Sequence, residues 1–165
     1  MQTRALDLPH GLTVLVRPLV AGDVATVAAV FDRLGPESRR SRFNAPKPCL
    51  TDADLEQLTR VDGEHYALVA SVAGDPRPVA FAQLVRTSRE TAEIAFVVAD
   101  SYHRRGVGSA LTRMLLDDAR AAGITEITAQ ASGENRAALA LIRRSARVLE
   151  ISLEGPEQSI RAAIA

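Results

Sequence analysis

The chain is short of most features that would assign it to a specialised class. It has one cysteine, Cys49, so no intrachain disulfide can form, and a reducing compartment suits it. Its 20 basic and 20 acidic residues cancel, which argues against a dedicated nucleic-acid or membrane-surface protein. The longest apolar runs are strand-sized, so no transmembrane helix is expected. The first residues, Met-Gln-Thr-Arg-Ala-Leu-Asp, have no apolar core and do not read as a signal peptide. There is no internal repeat, low-complexity run or linker. These absences point to a cytoplasmic globular protein. A length of 165 residues with 47% hydrophobic content is enough for one cored domain.

The punctuation of the chain divides it. Residues 1–11 lack periodicity and read as a loose lead-in to a single domain over 12–165. Leu12–Arg17 is aliphatic and β-branched and ends at Pro18, a strand. Asp23 is placed to cap a helix carrying Val24, Val27, Ala28 and Phe31, which Gly35-Pro36 ends. Pro36–Leu50 is rich in arginine and reads as a short helix and loop, and Thr51 with Asp54 forms a capping pair for another short helix. Strands follow at His65–Val72, Val79–Arg86 and Ala92–Val98, the first two joined by a turn at Gly74-Asp75-Pro76. Gly106–Ala122 is the longest helix, with Gly123 as its left-handed cap. A strand at Ile124–Ala131, a helix at Asn135–Ser145 and two strands around Gly155-Pro156 complete the chain. This order predicts an α/β domain: a mixed, mostly antiparallel sheet of about seven strands with helices on both faces.

Two features carry chemistry. The first is His103-Arg104-Arg105-Gly106-Val107-Gly108-Ser109 at a helix start. Glycines there let backbone N–H groups approach a ligand, and the unpaired amides and dipole of the first turn suit a phosphate. No Gly-Lys-Ser/Thr follows, so it is not a P-loop, and Leu111 stands where a dinucleotide fingerprint needs its third glycine. The second feature is Glu93, one carboxylate inside an apolar strand. Alternation puts it on a face with Ala95, Val97 and Ala99, where partial desolvation is expected to raise its pKa.

These residues resemble a known pattern. Glu93–Leu116 resembles motif A of the GNAT family of N-acetyltransferases, Gln/Arg-x-x-Gly-x-Gly/Ala, with His103 in the first position and Gly106 and Gly108 matching. Asn135, Ala138 and Leu141 match the family's second block, Asn-x-x-Ala-x-x-Leu-Tyr. There Ile142 replaces the Tyr, and Ala146-Arg147 replaces a following Gly-Phe. Leu34–Phe43, Leu58–Asp62 and Tyr66–Ala70 are similar to the bacterial protein-lysine acetyltransferases of the Pat type.

The resemblance implies the GNAT fold and acetyl transfer from acetyl-CoA to an amine in a ternary complex, with no metal. The pyrophosphate would lie on the amides of Arg104, Arg105, Gly106, Val107, Gly108 and Ser109, beside His103. The pantetheine would pair with the backbone of Phe96, Val97 and Val98, where the strands at Val97 and Gln130 splay apart, and Asn135 would contact it or order the cleft. Glu93 is the candidate general base. A primary ammonium has a pKa near 10.4, so only about one molecule in ~10³ is neutral at pH 7. Loss of the Tyr at Ile142 removes the usual proton donor to the thiolate, leaving Ser145, Tyr102 or water.

Other readings stay open. Glu93 could pair with Arg86 or Arg89. Arg39, Arg40 and Arg42 read as a solvated face or as a docking surface for an acidic stretch of a protein acceptor. Arg143 and Arg144 read as contacts to the CoA 3′-phosphate or as a solvent-facing helix side. His65, His10 and Cys49 read as uninvolved. The expected acceptor is a protein lysine, on a monomer or homodimer, with no nucleic-acid or membrane partner. The alternatives are a small amine, or a CoA-binding regulatory domain without turnover.

Overall fold

The computed structural model describes residues 2–43 and 45–164. Eight strands form one sheet in the order β1-β2-β3-β4-β5-β6-β8-β7. They are β1 Arg4–Leu8, β2 Leu12–Pro18, β3 His65–Val72, β4 Asp75–Arg86, β5 Thr91–Val98, β6 Glu126–Ser132, β7 Arg147–Glu154 and β8 Glu157–Ala163. Every neighbouring pair is antiparallel except β5 and β6. The helices are α1 Val24–Asp32, α2 Pro36–Phe43, α3 Asp52–Leu58, α4 Val107–Ala121 and α5 Arg136–Ser145.

The mixed, mostly antiparallel sheet agrees with the expectation, and the strand beyond the expected seven is β1. The lead-in is therefore not loose over Arg4–Leu8. Those residues pair with β2 from Arg4 opposite Val16 to Leu8 opposite Leu12. Arg4 also donates from both Nη atoms to Asp118 of α4, at 2.9 and 2.7 Å, and the Tyr66 hydroxyl donates to the same carboxylate at 2.8 Å. A bidentate arginine pair of this kind anchors an edge strand that buries little apolar surface. The β3–β4 turn is also tighter than expected. Gly74 takes a left-handed φ of 88° and β4 resumes at Asp75, with the irregularity moved into shifted pairing around Ser71 and Val72.

The sheet has a core on each face. One lies under α4 and α5, where Leu111, Leu115, Leu116 and Ile142 are sealed from water together with Val14, Leu68, Ile94 and Ile127. Leu111 and Leu115 are one helical turn apart, so one stripe of α4 covers the sheet. Truncating such a residue to Ala costs about 2–5 kcal/mol. The other core lies under α1 and α3, where Val27, Val30 and Leu58 meet Leu19, Val69 and Phe81. Asp23 caps α1 by accepting from the Thr26 amide, and Thr51 with Asp54 forms a full capping box on α3. α2 buries no residue. Among the described residues no helix is long and apolar enough to cross a membrane.

Candidate active site

The site begins where the parallel β5–β6 ladder stops. β5 pairs with β4 from Ala92 opposite Arg86 to Val98 opposite Ala80. It pairs with β6 only as far as Ile94 opposite Ala129. From Gln130 to Ser132, β6 continues against β8 alone. The edges of Ala95–Val98 and Gln130–Ser132 therefore open into a wedge-shaped gap, at the splay expected near Val97 and Gln130.

The Ala99 amide donates to Val79, on the β4 side. By alternation the backbone groups of Val97 also face β4, while those of Phe96 and Val98 face the gap. A gap edge with unused backbone groups suits a strand-like ligand. One of these groups is engaged: His103 Nε2 lies 2.7 Å from the Val98 carbonyl oxygen. The ring of His103 thus ties its loop to the strand.

The chain leaves β5 at Ala99, makes a 3-10 turn over Asp100–Tyr102 and enters α4 through two left-handed residues, Arg104 (φ 60°) and Gly106 (φ 87°). Gly106 is the N-cap and supplies no side-chain bond. The first intrahelical bond runs from the Ala110 amide to the Gly106 carbonyl. The amides of Val107, Gly108 and Ser109 are thus left at the helix start without an intrahelical partner. Gly108 is there because space is short: a Cβ on it would stand 3.3 Å from Leu141 and 3.4 Å from Val98. α4, α5 and β5 converge on this residue, which sets the amides at the mouth of the gap. Exposed Arg104 and Arg105 add positive charge, and Arg144 donates to Ser109 Oγ at 3.3 Å.

Asn135 caps α5, its Oδ1 accepting from the Ala138 amide at 3.1 Å. Its carbonyl accepts from Gln158 Nε2, which also donates to the Ser132 carbonyl. Gln158 is buried and latches the β6–α5 turn to β8. Sequence reasoning missed it, although a polar side chain at a core-facing strand position was the available signal.

Glu93 departs from expectation. It is exposed, not desolvated. Its ladder partner is Val85, and no ion pair joins it to Arg86 or Arg89 among the described residues. Arg86 turns instead to the carbonyls of Arg89 and Ala122. Glu93 keeps the expected strand face, shared with Ala95 and Val97, and this is the face covered by α1–α3. The strand is open there because Arg42 of α2 and Gln83 of β4, not an apolar helix, are its neighbours. Arg42 donates to Gln83 Oε1 at 3.3 Å. Gln83 was overlooked, and its signal matched that of Glu93, a polar residue in an apolar strand.

Ile142 is sealed in the core, so no proton donor stands at that position. The guanidinium groups of Arg33 and Arg105 each lie over the Tyr102 ring, at 5.4 and 5.1 Å from its centre. Cys49 is exposed.

Residues 31–146 match the model of the acetyltransferase (GNAT) family. The chain is similar to an acetyltransferase of Pseudomonas aeruginosa, 33% identical over 135 residues, which are 79% of this chain and 73% of that protein. It is also similar to acetyltransferase Pat of Mycolicibacterium smegmatis, 32% identical over 126 residues, which are 74% of this chain but 37% of that longer protein. Among solved structures, the GNAT domain of S. lividans PAT superposes with a TM-score of 0.86 at 25% identity, covering 98% of this chain and 96% of that one. A spermidine N-acetyltransferase of Vibrio cholerae, solved with CoA and spermine, shares the fold at a TM-score of 0.66 and 18% identity, covering 92% of this chain and 94% of that one.

Proposed function

Because the chain belongs to the acetyltransferase (GNAT) family and is an N-acetyltransferase, we propose that it transfers the acetyl group of acetyl-CoA to a primary amine, with a protein lysine as acceptor. The observation that carries this reading is the β5–β6 gap with the uncapped amides of α4 at its mouth. The fit is steric as well as polar: a side chain at Gly108 would press on Val98 and Leu141, so a glycine keeps the cradle open.

In this reading the amides of Val107, Gly108 and Ser109 hold the pyrophosphate, and Arg104 and Arg105 balance its charge. His103 fixes the loop, and Asn135 fixes the far wall of the gap through its cap on α5. Phe96 and Val98 offer backbone groups to the pantetheine arm. Glu93 takes the proton from the incoming ammonium, directly or through one water, and the neutral nitrogen then attacks the thioester carbonyl. The new bond is N–C, the broken bond is C–S, and the thiol product leaves. The attacking nitrogen gives up its second proton to water as the C–S bond breaks, and with Ile142 buried the thiolate takes its proton from water.

Calorimetry with acetyl-CoA tests the cradle, and absence of binding at millimolar concentration would end this reading. Free-thiol release with a panel of amines, and mass spectrometry of acetylated protein, test transfer and acceptor. Binding without release on any amine would identify a regulatory CoA-binding domain, the reading that Ile142 favours.

A further inference from the structure

Some arginines around this sheet have a carboxylate partner, and others, such as Arg86, bond only to backbone carbonyls. Arg4 has Asp118, Arg17 has Asp23, and Arg161 has both Glu126 and Glu150. Arg42 has no carboxylate within ion-pair distance among the described residues, and its contacts are neutral. Its Nη2 donates to the Gln83 amide oxygen, and its guanidinium lies 5.1 Å from the centre of the Phe43 ring. With Phe81, Val97 and Leu34 it lines a small cavity of ≈ 20 Å³ whose other walls are apolar.

A cation partly withdrawn from water without a counter-ion is costly. Burial pushes the Arg42 guanidinium below its ordinary pKa, and the charge of Glu93 pulls the other way. Gln83 cannot neutralise it. Gln83 is itself buried, and its Nε2 is turned to the Gln57 carbonyl at 3.4 Å, so it holds Arg42 from behind without supplying charge. The remaining donors of the guanidinium are not sealed in. The partnerless buried side-chain nitrogen among the described residues is Nε of Arg39, not a nitrogen of Arg42. Gln83, which holds Arg42, is the ladder partner of Ala95, two residues from Glu93 on the same sheet face. One face thus presents Glu93 and Arg42, whose charges act on each other but which form no ion pair among the described residues.

We propose that Arg42 is a specificity-determining residue that receives a carboxylate carried by the acceptor while the acceptor's amine is delivered to Glu93. The planar fork of arginine suits a carboxylate better than any neutral group. The proposal rests on amine acetylation at this cleft but not on the acceptor's being a protein. The carboxylate is either an acidic side chain beside the target lysine or the α-carboxylate of a small amine.

The test is acceptor affinity, measured by calorimetry with saturating CoA, for two pairs of probes. One pair is two peptides differing only in Glu or Gln beside a lysine. The other is free lysine and its amide. The wild-type protein binds the carboxylate form of one pair about tenfold or more tightly than its neutral form, as expected of a charge-assisted fork. The pair that shows the difference identifies the source. Arg42→Gln removes the difference, and Arg42→Lys, which keeps the charge but not the fork, retains part of it. No preference in either wild-type pair overturns the proposal, and so does a preference that survives in Arg42→Gln. If Arg42→Gln does not fold, an undiminished preference in Arg42→Lys overturns it. Thiol release from acetyl-CoA with the same four probes reports separately on transfer. A carboxylate preference without release supports the role of Arg42 and removes the transfer reading.

Discussion

A β-carbon built on Gly35 would lie 2.5 Å from Oδ2 of Asp100. Gly35 stands at the start of α2, and Asp100 begins the loop that carries the amides of α4. The other oxygen of Asp100 accepts from Ser38 Oγ at 2.7 Å, and the Asp100 amide donates to the Arg33 carbonyl. The loop that leads into α4 is thereby fastened to the helix that bears Arg42. Gly35→Ala forces the short Asp100 side chain away, at an overpacking cost of about 1–3 kcal/mol. In an Asp100→Ala background the same change costs much less. A double-mutant cycle read by thermal denaturation checks this, and additive effects would show that the two residues do not press on each other.

Gly108 has room for almost nothing, yet its neighbours are side-chain tips. Gly108→Ala asks Leu141 and Val98 to give by a few tenths of an ångström. It lowers CoA affinity several-fold, roughly 1 kcal/mol, with a stability change of similar size. Gly108→Glu places bulk and negative charge at the open amides and abolishes CoA binding. Calorimetry beside a melting curve separates the two effects. Unchanged affinity in Gly108→Glu would move the phosphate site elsewhere.

The fold was legible wherever one periodicity ruled a segment. α4 shows its stripe through Leu111 and Leu115, and the caps at Asp23, Thr51 and Asn135 stand where side-chain chemistry puts them. β1 was not legible, because Leu6 and Leu8 are only partly buried and its hold on the fold is the distant contact of Arg4 with Asp118. The glycines of the α4 loop were legible because a left-handed φ at Gly106 and close packing at Gly108 leave a composition signature. The setting of Glu93 was not. Alternation gives the face of a strand residue but not what covers that face, and α2 covers it with polar side chains. For the same reason Arg42 read as one of several solvated arginines, although Gln83 holds it against the sheet.

Asp54 gives the clearest pH dependence. Lys47 approaches its carboxylate to 2.6 Å, and the Thr51 amide and hydroxyl each donate to it at 2.8 Å. The Lys47 contact is the main reason that its pKa falls from 3.8 to about 2. A depressed carboxylate stabilises the folded state above its unfolded pKa and loses that contribution as pH falls from 3.8 through about 2. Near the surface the contribution is below about 1 kcal/mol. Asp54→Asn is therefore slightly less stable than wild type at pH 6, and the two converge as pH falls toward 2. Urea denaturation at pH 6, 4 and 2.5 measures the gap, and a gap that does not shrink would assign the stabilisation to something other than the charge.

Glu93 makes no side-chain hydrogen bond or ion pair to a described residue and is exposed, so Glu93→Gln breaks no contact and shifts the melting temperature only slightly, through the loss of its charge near Arg42. It leaves CoA affinity unchanged, because Glu93 lies on the sheet face opposite α4. If the carboxylate removes the ammonium proton, turnover near neutral pH falls about 10²-fold, the usual range for losing a general base. The loss has a direction in pH. The neutral fraction of an amine with pKa near 10.4 rises about tenfold per unit up to that value, so the deficit of the variant shrinks as pH rises. A fixed deficit across pH 7–10 would give Glu93 a part in acceptor binding and not in proton transfer. Wild-type turnover in the variant at every pH would leave deprotonation of the amine to solvent. Initial rates of thiol release against pH, with acetyl-CoA saturating, distinguish the three outcomes.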